Sequence, residues 1–321
     1  MFLTIIYFVI VFLITYKIYQ KITLKKFISD ITIPNKLVIV TGANTGIGYE
    51  TAKELSRRGA KVILACRDIN KAQKAARKIE AFTGNNVIAK YLDLASFKSI
   101  TEFAKDIIET ERRVDILINN AGTGVLDNSL TEDNLPVEAQ VNHFGPFLLT
   151  MLLLPAMKES KPKARIINVS SLMHKFGTVE DLDKQAKTFI GRRRVYANTK
   201  LANVLFTKRL AEEVRRNNVI VNCLHPGAVN TDIFRNQPRI VRFLLKLLFL
   251  TPEEGAQTSI FLAVSDYFDE RIMTGKYFSN CTEESPSDRA LDREAAQKLW
   301  DLSMKICFKD ANLEEVTKIA K

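Results

Sequence analysis

The sequence predicts an α/β protein built on a doubly wound parallel sheet of about seven strands, preceded by an apolar helix at the amino terminus. Short β-rich runs alternate with helical stretches after Pro34, and residues 2–16 are almost wholly apolar. The chain has 321 residues, of which 46% are hydrophobic and 26% charged, so it can form a sizeable core and is not expected to be disordered. Alternating strands and helices form right-handed βαβ units, which cover both faces of a sheet with helices.

The amino terminus, residues 1–26, is predicted to be a membrane anchor with a basic flank. The run 2–16 would form a helix of about 22 Å, and extension to Tyr19 approaches the ~30 Å hydrocarbon core. A cleaved signal peptide needs a basic start and small residues at its cleavage site, and this terminus has neither. The lysines that follow predict, by the positive-inside rule, that the catalytic domain faces the cytosol, and the endoplasmic reticulum membrane is the expected location.

Seven strand-like runs follow along the chain. They are KLVIVTG (36–42), KVILAC (61–66), NVIAKYLDL (86–94), VDILINNAG (114–122), ARIINVSS (164–171), VIVNCLHPG (219–227) and GKYFSN (275–280). Helical stretches near 46–58, 69–82, 97–110 and 134–158 lie between them. A further helix over 192–210, preceded by a loop, carries Tyr196 in its first turn. We expect one domain, 36–300, with a C-terminal tail at 301–321.

Composition limits the function classes. The formal charge is +11, but no nucleic-acid-binding motif accompanies it, so no nucleic acid partner is expected and attraction to an anionic membrane is favoured. The four cysteines form no CxxC pair, which indicates a reducing compartment. The three histidines have no metal-ligand spacing, so no metal is expected, and neither HExxH nor GxSxG is present.

The stretch TGANTGIG, residues 41–48, joins the first strand to the first helix. Its glycines permit a tight turn, and the helix amino terminus beyond them favours a pyrophosphate. An ordinary tight turn between a strand and a helix is the alternative, which the position after the first strand of an alternating chain disfavours. The residues of this turn expected to bind the cofactor are Gly42, Ala43, Asn44, Thr45, Gly46, Ile47 and Gly48.

The end of the second strand predicts the choice of cofactor. An acid there would accept a hydrogen bond from the 2′-hydroxyl of NAD, but this chain has Cys66 followed by Arg67, whose guanidinium suits the 2′-phosphate of NADP. Arg67 could instead be a surface charge, and Asp68 is interpreted as the cap of the next helix. We expect NADP. Asp93 can reach the adenine edge, and small residues at the end of the fourth strand admit the ribose: Asn120, Ala121 and Gly122.

Tyr196 and Lys200 lie four residues apart in a helical stretch, and therefore on one face of the helix. Taken alone, such a pair is most simply a surface pair with its stems packed on the helix. The other motifs of the chain decide against that interpretation.

Taken together, TGANTGIG, NNAG, NVSS, YANTK and HPG resemble the short-chain dehydrogenase/reductase family, over nearly all of 36–300. Within the family, the stretches TGANTGIGYETAKELSRRGAKVILACRD, YANTKLANVLFTKRLA and EEGAQTS look most like the membrane-bound retinol dehydrogenases. The resemblance implies a Rossmann-type fold and an oxidoreductase that uses NADP.

The resemblance also implies a catalytic tetrad. Tyr196 would be the acid/base, Lys200 would lower the pKa of Tyr196 together with the positive nicotinamide ring, and Ser171 would hydrogen-bond the substrate oxygen. Asn142 would hold a water in a proton relay. Ser170 competes with Ser171, and the family pattern favours Ser171. Pro226 and Gly227 would shape the nicotinamide pocket, and Thr231 would contact the cofactor or else cap a helix.

The segment PRIVRFLLKLLFL, 238–250, lies where this family covers its substrate. It is either a basic amphipathic helix on a membrane surface or a helix buried against the domain, and both suit a lipophilic substrate. We expect conversion between a lipophilic alcohol, foremost retinol, and its aldehyde or ketone. Sterols or fatty aldehydes as substrates, a nucleotide-binding regulator without turnover and a membrane scaffold are the alternatives. The sequence predicts no oligomeric state.

Overall fold

The computed structural model describes residues 2–124, 128–231, 245, 247–270 and 273–309. Its strands are β1 Leu37–Thr41, β2 Lys61–Cys66, β3 Val87–Tyr91, β4 Ile116–Asn119, β5 Ala164–Val169, β6 Val219–His225, β7 Tyr277–Ser279 and β8 Thr282–Glu284. They form one sheet in the order β3-β2-β1-β4-β5-β6-β7-β8. Neighbours from β3 through β7 are parallel, whereas β8 is antiparallel to β7.

Helices flank this sheet. They are α1 Phe2–Thr23, α2 Gly46–Arg57, α3 Ile69–Thr83, α4 Phe97–Thr110, α5 Val137–Ala139, α6 Gly145–Lys158, α7 Phe189–Glu213, α8 Pro252–Val264, α9 Tyr267–Glu270 and α10 Arg293–Cys307. A π-helical turn spans Gln140–Phe144, and 3-10 turns span Leu172–Phe176 and Asp288–Leu291.

The core consists of a layer on each face of the sheet. Successive side chains of a strand point to opposite faces, so Leu37 and Ile39 join one layer while Val38 and Val40 join the other. Helices α4, α6 and α10 pack on the first face, and α2, α3 and α8 on the second. The strand order reverses between β1 and β4, and the carboxyl ends of these strands border the crevice where such sheets bind ligands.

The predicted α/β class is confirmed, and each of the seven predicted runs contains a strand. The structure adds β8, which sequence analysis missed. This strand has three polar residues, all exposed, so it has no alternation of apolar and polar side chains to detect. It forms because residues 280 and 281 turn the chain back through positive φ angles and pair β8 with β7.

The helix predicted over 134–158 is interrupted. Helix α5 passes into the π-helical turn, and α6 follows from Gly145. Gly145 allows a close approach here, because a Cβ at this position would lie 2.6 Å from the carbonyl oxygen of Leu94. A π-helical turn inside a helix frequently marks a functional site, and this one contains Asn142.

Helix α7 begins earlier than the stretch 192–210 indicated. Its cap is Thr188, whose side chain accepts a hydrogen bond from the Gly191 N–H at 3.0 Å. Tyr196 therefore lies in the interior of the helix instead of in its first turn. The predicted loop before it is shortened at both ends by α7 and by the 3-10 turn at Leu172–Phe176.

The amino-terminal run forms helix α1, as predicted, and the helix continues to Thr23. In the part of the chain that is described, no helix is both long and apolar enough to cross a membrane.

The segment after α1 is fastened to the domain. The Asn280 side chain donates to the Thr23 carbonyl at 2.8 Å and accepts from the Lys25 N–H at 2.7 Å. The ring of Phe27 packs edge-on against Phe261, with centroids 5.3 Å apart. Lys21 also pairs with Glu254 at the start of α8. This junction fixes the end of α1 beside β7 and α8.

The predicted segment 238–250 and the predicted tail 301–321 are described only in part. Most of 238–250 lies outside the described residues, so neither interpretation of that segment is tested. Helix α10 continues past residue 300 to Cys307, and both Met304 and Phe308 are buried in the core.

Candidate active site

The glycine-rich turn is shaped by its backbone. Gly42 and Gly46 have φ angles of +64° and +62°, in the left-handed region that favours glycine. Thr45 occupies the cap position of α2, yet its side chain makes no capping hydrogen bond. Side chains therefore leave the first turn of α2 open to a ligand, and N–H groups at a helix amino terminus suit a pyrophosphate.

Close packing holds this turn against the end of β4. The Asn120 side chain donates to the Thr41 carbonyl at 2.8 Å, and the Thr41 hydroxyl accepts from the Ala121 N–H at 3.0 Å. A Cβ at Gly48 would lie 2.4 Å from the Asn120 amide nitrogen, so only glycine fits there. The Asn120 side chain thus holds the turn in place. Ala121 packs closely on Gly42, where an added Cβ would lie 3.0 Å from the Ala121 Cα.

Three consecutive side chains at the end of β2, those of Cys66, Arg67 and Asp68, have different environments. Burial raises the pKa of the Cys66 thiol to about 11, against the opposing effect of backbone N–H groups in the glycine-rich turn. The Arg67 side chain is exposed. The Asp68 carboxylate caps α3 by accepting from the Lys71 N–H at 3.0 Å, as the sequence predicted. Arg67 is thus the side chain of these three that remains available to a phosphate.

The other predicted cofactor residues border the same crevice. Asp93 uses its carboxylate to accept from the Ala95 N–H at 2.9 Å, which fixes the turn after β3. Thr231 lies over the glycine-rich turn, since a Cβ at Gly46 would be 3.5 Å from its methyl group. Gly227 has a φ of +88° and follows Pro226 directly after β6. The residues that follow Thr231 lie outside the described part of the chain, so its alternative role as a helix cap is not tested.

Tyr196 and Lys200 meet on one face of α7. The Lys200 ammonium nitrogen lies 5.4 Å from the centroid of the Tyr196 ring and donates to the Val169 carbonyl at 3.1 Å. Lys200 is only 3% exposed, which contradicts a surface pair. Burial lowers the pKa of Lys200 to about 8, while the negative charge of Glu138 acts in the opposite direction.

Burial also raises the pKa of Tyr196, against an opposing hydrogen bond with Ser171. The negative charge of Glu138 raises this pKa further. In the chain by itself this direction is opposite to the lowering expected from the sequence. That expectation counted the positive nicotinamide ring together with Lys200, and Glu138 did not figure in it.

The structure separates the two serines that follow β5. The buried Ser170 hydroxyl donates to the Lys200 carbonyl at 2.7 Å, so it fastens β5 to α7. The Ser171 hydroxyl interacts with Tyr196, whose pKa it lowers, and accepts from the Met173 N–H at 3.2 Å. Ser171 is therefore the serine that faces the reacting groups.

Asn142 is buried in the π-helical turn. Its amide exchanges two hydrogen bonds with the backbone of Thr123, both at 2.8 Å, and donates to the Thr199 hydroxyl at 3.1 Å. A Cβ at Gly122 would lie 3.3 Å from the Lys200 ammonium nitrogen and 3.4 Å from the Asn142 carbonyl oxygen. The absence of a side chain at Gly122 thus keeps open a space that both groups border.

Sequence reasoning missed three residues of this site. Glu138 is buried and its charge acts on both Tyr196 and Lys200. Thr199 lies within YANTK itself, and its hydroxyl binds Asn142. Thr123 follows NNAG directly and is held by Asn142. The signal that the sequence offered for Glu138 was its position, four residues before Asn142.

These groups can carry out acid–base chemistry on an alcohol or carbonyl beside a dinucleotide. A phenol, a buried ammonium and a serine hydroxyl meet at the carboxyl ends of β4 and β5. The glycine-rich turn, which can take a pyrophosphate, follows β1 at the same edge of the sheet.

Comparison with known proteins agrees with this geometry. The profile of the short chain dehydrogenase family matches residues 36–240. Retinol dehydrogenase 11 of Mus musculus is 43% identical, over 92% of this chain and 93% of its own. Retinol dehydrogenase 13 of Homo sapiens is 46% identical, over 87% of this chain and 86% of its own.

Solved structures show the same fold. An uncharacterised protein from Mycobacterium paratuberculosis superposes with a TM-score of 0.69 at 29% identity, over 87% of this chain and 97% of that one. A short chain dehydrogenase from Shigella flexneri, complexed with NADP, gives 0.62 at 25% identity, over 79% and 100%. Its cofactor is the one expected here from the sequence. The chain belongs to the short-chain dehydrogenase family, and is an oxidoreductase that acts on alcohol groups.

Proposed function

We propose that this protein uses NADP(H) to interconvert a retinol-like lipophilic alcohol and its aldehyde. The observation that carries the proposal is the contact of Tyr196 with Ser171 beside the buried ammonium of Lys200. The retinol dehydrogenases to which the chain is similar support the substrate class.

The chain's own residues move one proton and orient one oxygen. When bound, NADP(H) supplies or accepts the hydride. Tyr196 exchanges a proton with the substrate oxygen through its phenolic oxygen, and the Ser171 hydroxyl donates a hydrogen bond to that same oxygen. Lys200, with a pKa of about 8, is mostly protonated at neutral pH and stabilises the Tyr196 phenolate. Asn142 holds Thr123 in place and is the residue expected to hold the water of the proton relay.

The chemistry at the end of β2 supports NADP over NAD. Selection of NAD requires a free carboxylate to accept from the ribose 2′-hydroxyl. Cys66 occupies that position, and the nearest carboxylate, Asp68, is occupied by the backbone of Lys71. The exposed guanidinium of Arg67 is suited to a phosphate that carries two charges.

Membrane association is the second part of the proposal. Helix α1 supplies an apolar surface, and its lysine flank favours the cytosolic side of the endoplasmic reticulum membrane. The exposed segment 172–194, which runs from the 3-10 turn into the start of α7, has four large apolar side chains at its surface: Leu172, Met173, Phe176 and Ile190. Basic side chains accompany them at Lys175, Lys187, Arg192 and Arg194, all exposed. Apolar and basic side chains together favour an anionic lipid surface.

These two surfaces share the carboxyl edge of the sheet. The Leu172 N–H donates to His225 at the end of β6, and Asn280, just after β7, binds the Thr23 carbonyl at the end of α1. Leu172 follows β5, and β6 alone separates β5 from β7, so the end of α1 and the start of the exposed segment lie about two strand widths apart, each ~5 Å. A lipophilic substrate would then reach the site from the bilayer.

The decisive experiment measures NADPH oxidation by the purified full-length chain in lipid vesicles. All-trans-retinal, a sterol ketone and a long-chain fatty aldehyde are compared by kcat/KM at 340 nm. The proposal expects retinal to give the highest value. A higher value for either of the others changes the substrate class, and no turnover of any of them by correctly folded, NADPH-binding protein refutes the enzymatic proposal.

Membrane association is tested by fractionation of the full-length chain and a chain that lacks residues 1–26. We expect the full-length chain in the membrane fraction and the shortened one mainly in the supernatant. Treatment of the full-length membranes with carbonate at high pH then distinguishes an inserted α1 from one held at the surface. A full-length chain that stays soluble without carbonate contradicts this part of the proposal.

A further inference from the structure

Two histidines outside the predicted tetrad bind the peptide group that follows Ser171. The ring Nδ1 of His225, the last residue of β6, lies 3.2 Å from the Leu172 N–H and 3.3 Å from the Gly227 N–H. Both backbone groups are donors, so Nδ1 accepts and the proton of a neutral ring is on Nε2. His225 thereby joins the residue after Ser171 to the loop after β6.

His174 binds the carbonyl of the same peptide group. Its Nδ1 lies 2.7 Å from the Ser171 carbonyl oxygen, which can only accept, so Nδ1 carries the proton. Its Nε2 accepts from the Ser287 N–H at 3.1 Å, and its ring is fully buried against Tyr277, with centroids 5.0 Å apart. The network thus assigns opposite tautomers to the two rings.

Ser170 is paired with Leu224 through its N–H, at 2.7 Å, and with Lys200 through its hydroxyl. At the next position the strand pairing has ended, and the Ser171 hydroxyl faces Tyr196.

The 3-10 turn adds two bonds, because the Ser171 carbonyl also accepts from the His174 N–H at 3.0 Å and the Ser171 hydroxyl accepts from the Met173 N–H. For the Leu172 N–H, the described residues provide no acceptor besides His225. The backbone orientation of Ser171 therefore depends on how its carbonyl and the N–H of Leu172 are held.

We propose that His225 and His174 are positioning residues for the reaction. By binding the N–H and the carbonyl of the Ser171–Leu172 peptide group, they hold the Ser171 hydroxyl against Tyr196. His225 additionally couples this serine to Gly227, so that the serine and the loop after β6 keep one relative placement. The proposal depends on the proposed function only for the identity of the reaction, because the placement of the two rings does not require turnover.

The environment of the rings favours the neutral forms that this requires. Burial lowers the pKa of His225 to about 4, and the nearby His174 and Lys175 lower it further. Burial also lowers the pKa of His174, with a further decrease from Lys175 and an opposing hydrogen bond to Ser171. A protonated His225 could not accept from either N–H group.

The first test compares two substitutions of His225. Asn places its side-chain carbonyl oxygen where Nδ1 lies and keeps the acceptor, whereas Leu removes it at similar volume. We expect His225→Leu to lower kcat by roughly 10- to 100-fold, as misplacement of a reacting group does, with little change in substrate KM. His225→Asn should remain within a few-fold of the parent. Should His225→Leu fail to fold, His225→Gln, whose acceptor lies further out, replaces it.

A double-mutant cycle with Ser171→Ala separates positioning from general destabilisation. If His225 acts through Ser171, His225→Leu costs little further activity once the serine hydroxyl is gone. Costs that simply multiply, or an Asn variant as impaired as the Leu variant, would overturn the proposal. The cycle uses whichever alcohol or aldehyde the parent turns over.

A second measurement needs no turnover. The chain has only three histidines, so imidazole ¹⁵N spectra can be assigned with single variants. We expect His225 to carry its proton on Nε2 and His174 to carry it on Nδ1. The same tautomer on both rings contradicts the proposal even if the enzyme proves inactive, and an inactive parent with the expected tautomers contradicts only the proposed function.

Discussion

The cofactor half and the catalytic half of this site are built differently. Around the glycine-rich turn the backbone makes the site, through the positive φ angles of Gly42 and Gly46 and the open first turn of α2. Beyond β4 the site consists of side chains delivered by the π-helical turn, β5 and α7. Adding a side chain should therefore impair the cofactor half. Removing a functional group or changing its protonation state should impair the catalytic half.

The largest effect is expected in the catalytic half. Tyr196→Phe removes the phenolic proton and should lower kcat by about 10²–10⁴-fold, the range of general acid–base catalysis. Because it removes one oxygen atom, the NADPH dissociation constant should stay within a few-fold of the parent. Steady-state rates and cofactor titration measure both. Tyr267→Phe, the same change on α9, should leave kcat unaltered, and a Tyr196→Phe variant of near-parent activity would contradict the assignment.

The second-largest effect is expected from low pH, which should destabilise the catalytic half more than the cofactor half. The three histidines, His143, His174 and His225, all lie in the catalytic half, and burial lowers the pKa of each, to about 3 for His143 and about 4 for His225. In the unfolded chain they titrate near 6.5, so between pH 6.5 and about 4 the unfolded state binds more protons. Stability is therefore complete above pH 6.5 and decreases as the pH falls through this window.

The decrease should reach about 1.4 kcal/mol per pH unit for each histidine that is charged only when unfolded. Thermal unfolding at pH 7.5, 6 and 5 measures it, and hydrogen exchange at pH 5 should show α7 and β6 losing protection before β1 and α2. His225→Asn should reduce the pH dependence. A melting temperature that does not change between pH 7 and 5 would contradict the argument.

In the cofactor half, Gly48→Ala tests the backbone. The added Cβ would meet the Asn120 amide nitrogen at 2.4 Å and the Gly42 carbonyl oxygen at 2.8 Å, so the turn and the end of β4 must separate. We expect a loss of about 1–3 kcal/mol in the free energy of unfolding, typical of overpacking, together with weaker NADPH binding. Gly84→Ala, where a Cβ has open space, should lower stability slightly and leave NADPH binding unchanged.

The smallest effect concerns the boundary of the cofactor half. Arg67→Asp removes a guanidinium and supplies a carboxylate, so NADPH should bind about tenfold or more weakly and NADH more tightly, since hydrogen bonds to charged groups contribute about 1.5–3 kcal/mol. Titrations with both cofactors measure the ratio. Arg77→Asp makes the same charge change on the exposed face of α3 and should leave the ratio unaltered. If the parent already prefers NADH, Arg67 does not select the phosphate.

How far the sequence predicted each half follows from the same difference. A turn made by backbone depends on neighbouring residues, so TGANTGIG was sufficient to place Gly42, Gly46 and Gly48. The boundaries of α2 and α4 were equally accessible, because apolar periodicity and capping residues are local.

The catalytic half could be predicted only by residue type. Ser170 and Ser171 are chemically identical, and only the packing of β5 on α7 shows that one binds the Lys200 carbonyl and the other Tyr196. The effect of Glu138 on the Tyr196 pKa is likewise absent from any local pattern, because α5 reaches α7 through tertiary packing. The π-helical turn at Asn142 was hidden because its period differs little from that of the helices around it.

The junction at Thr23, Lys25 and Phe27 determines how the domain can move. A chain that leaves a membrane through a flexible tether lets its domain rotate and sample every orientation. Here hydrogen bonds and ring packing fix the chain to the end of β7 and to α8 within a few residues of the end of α1. Under the proposed membrane association, α1 and the domain would move together, and folding would set the angle at which the site meets the membrane surface.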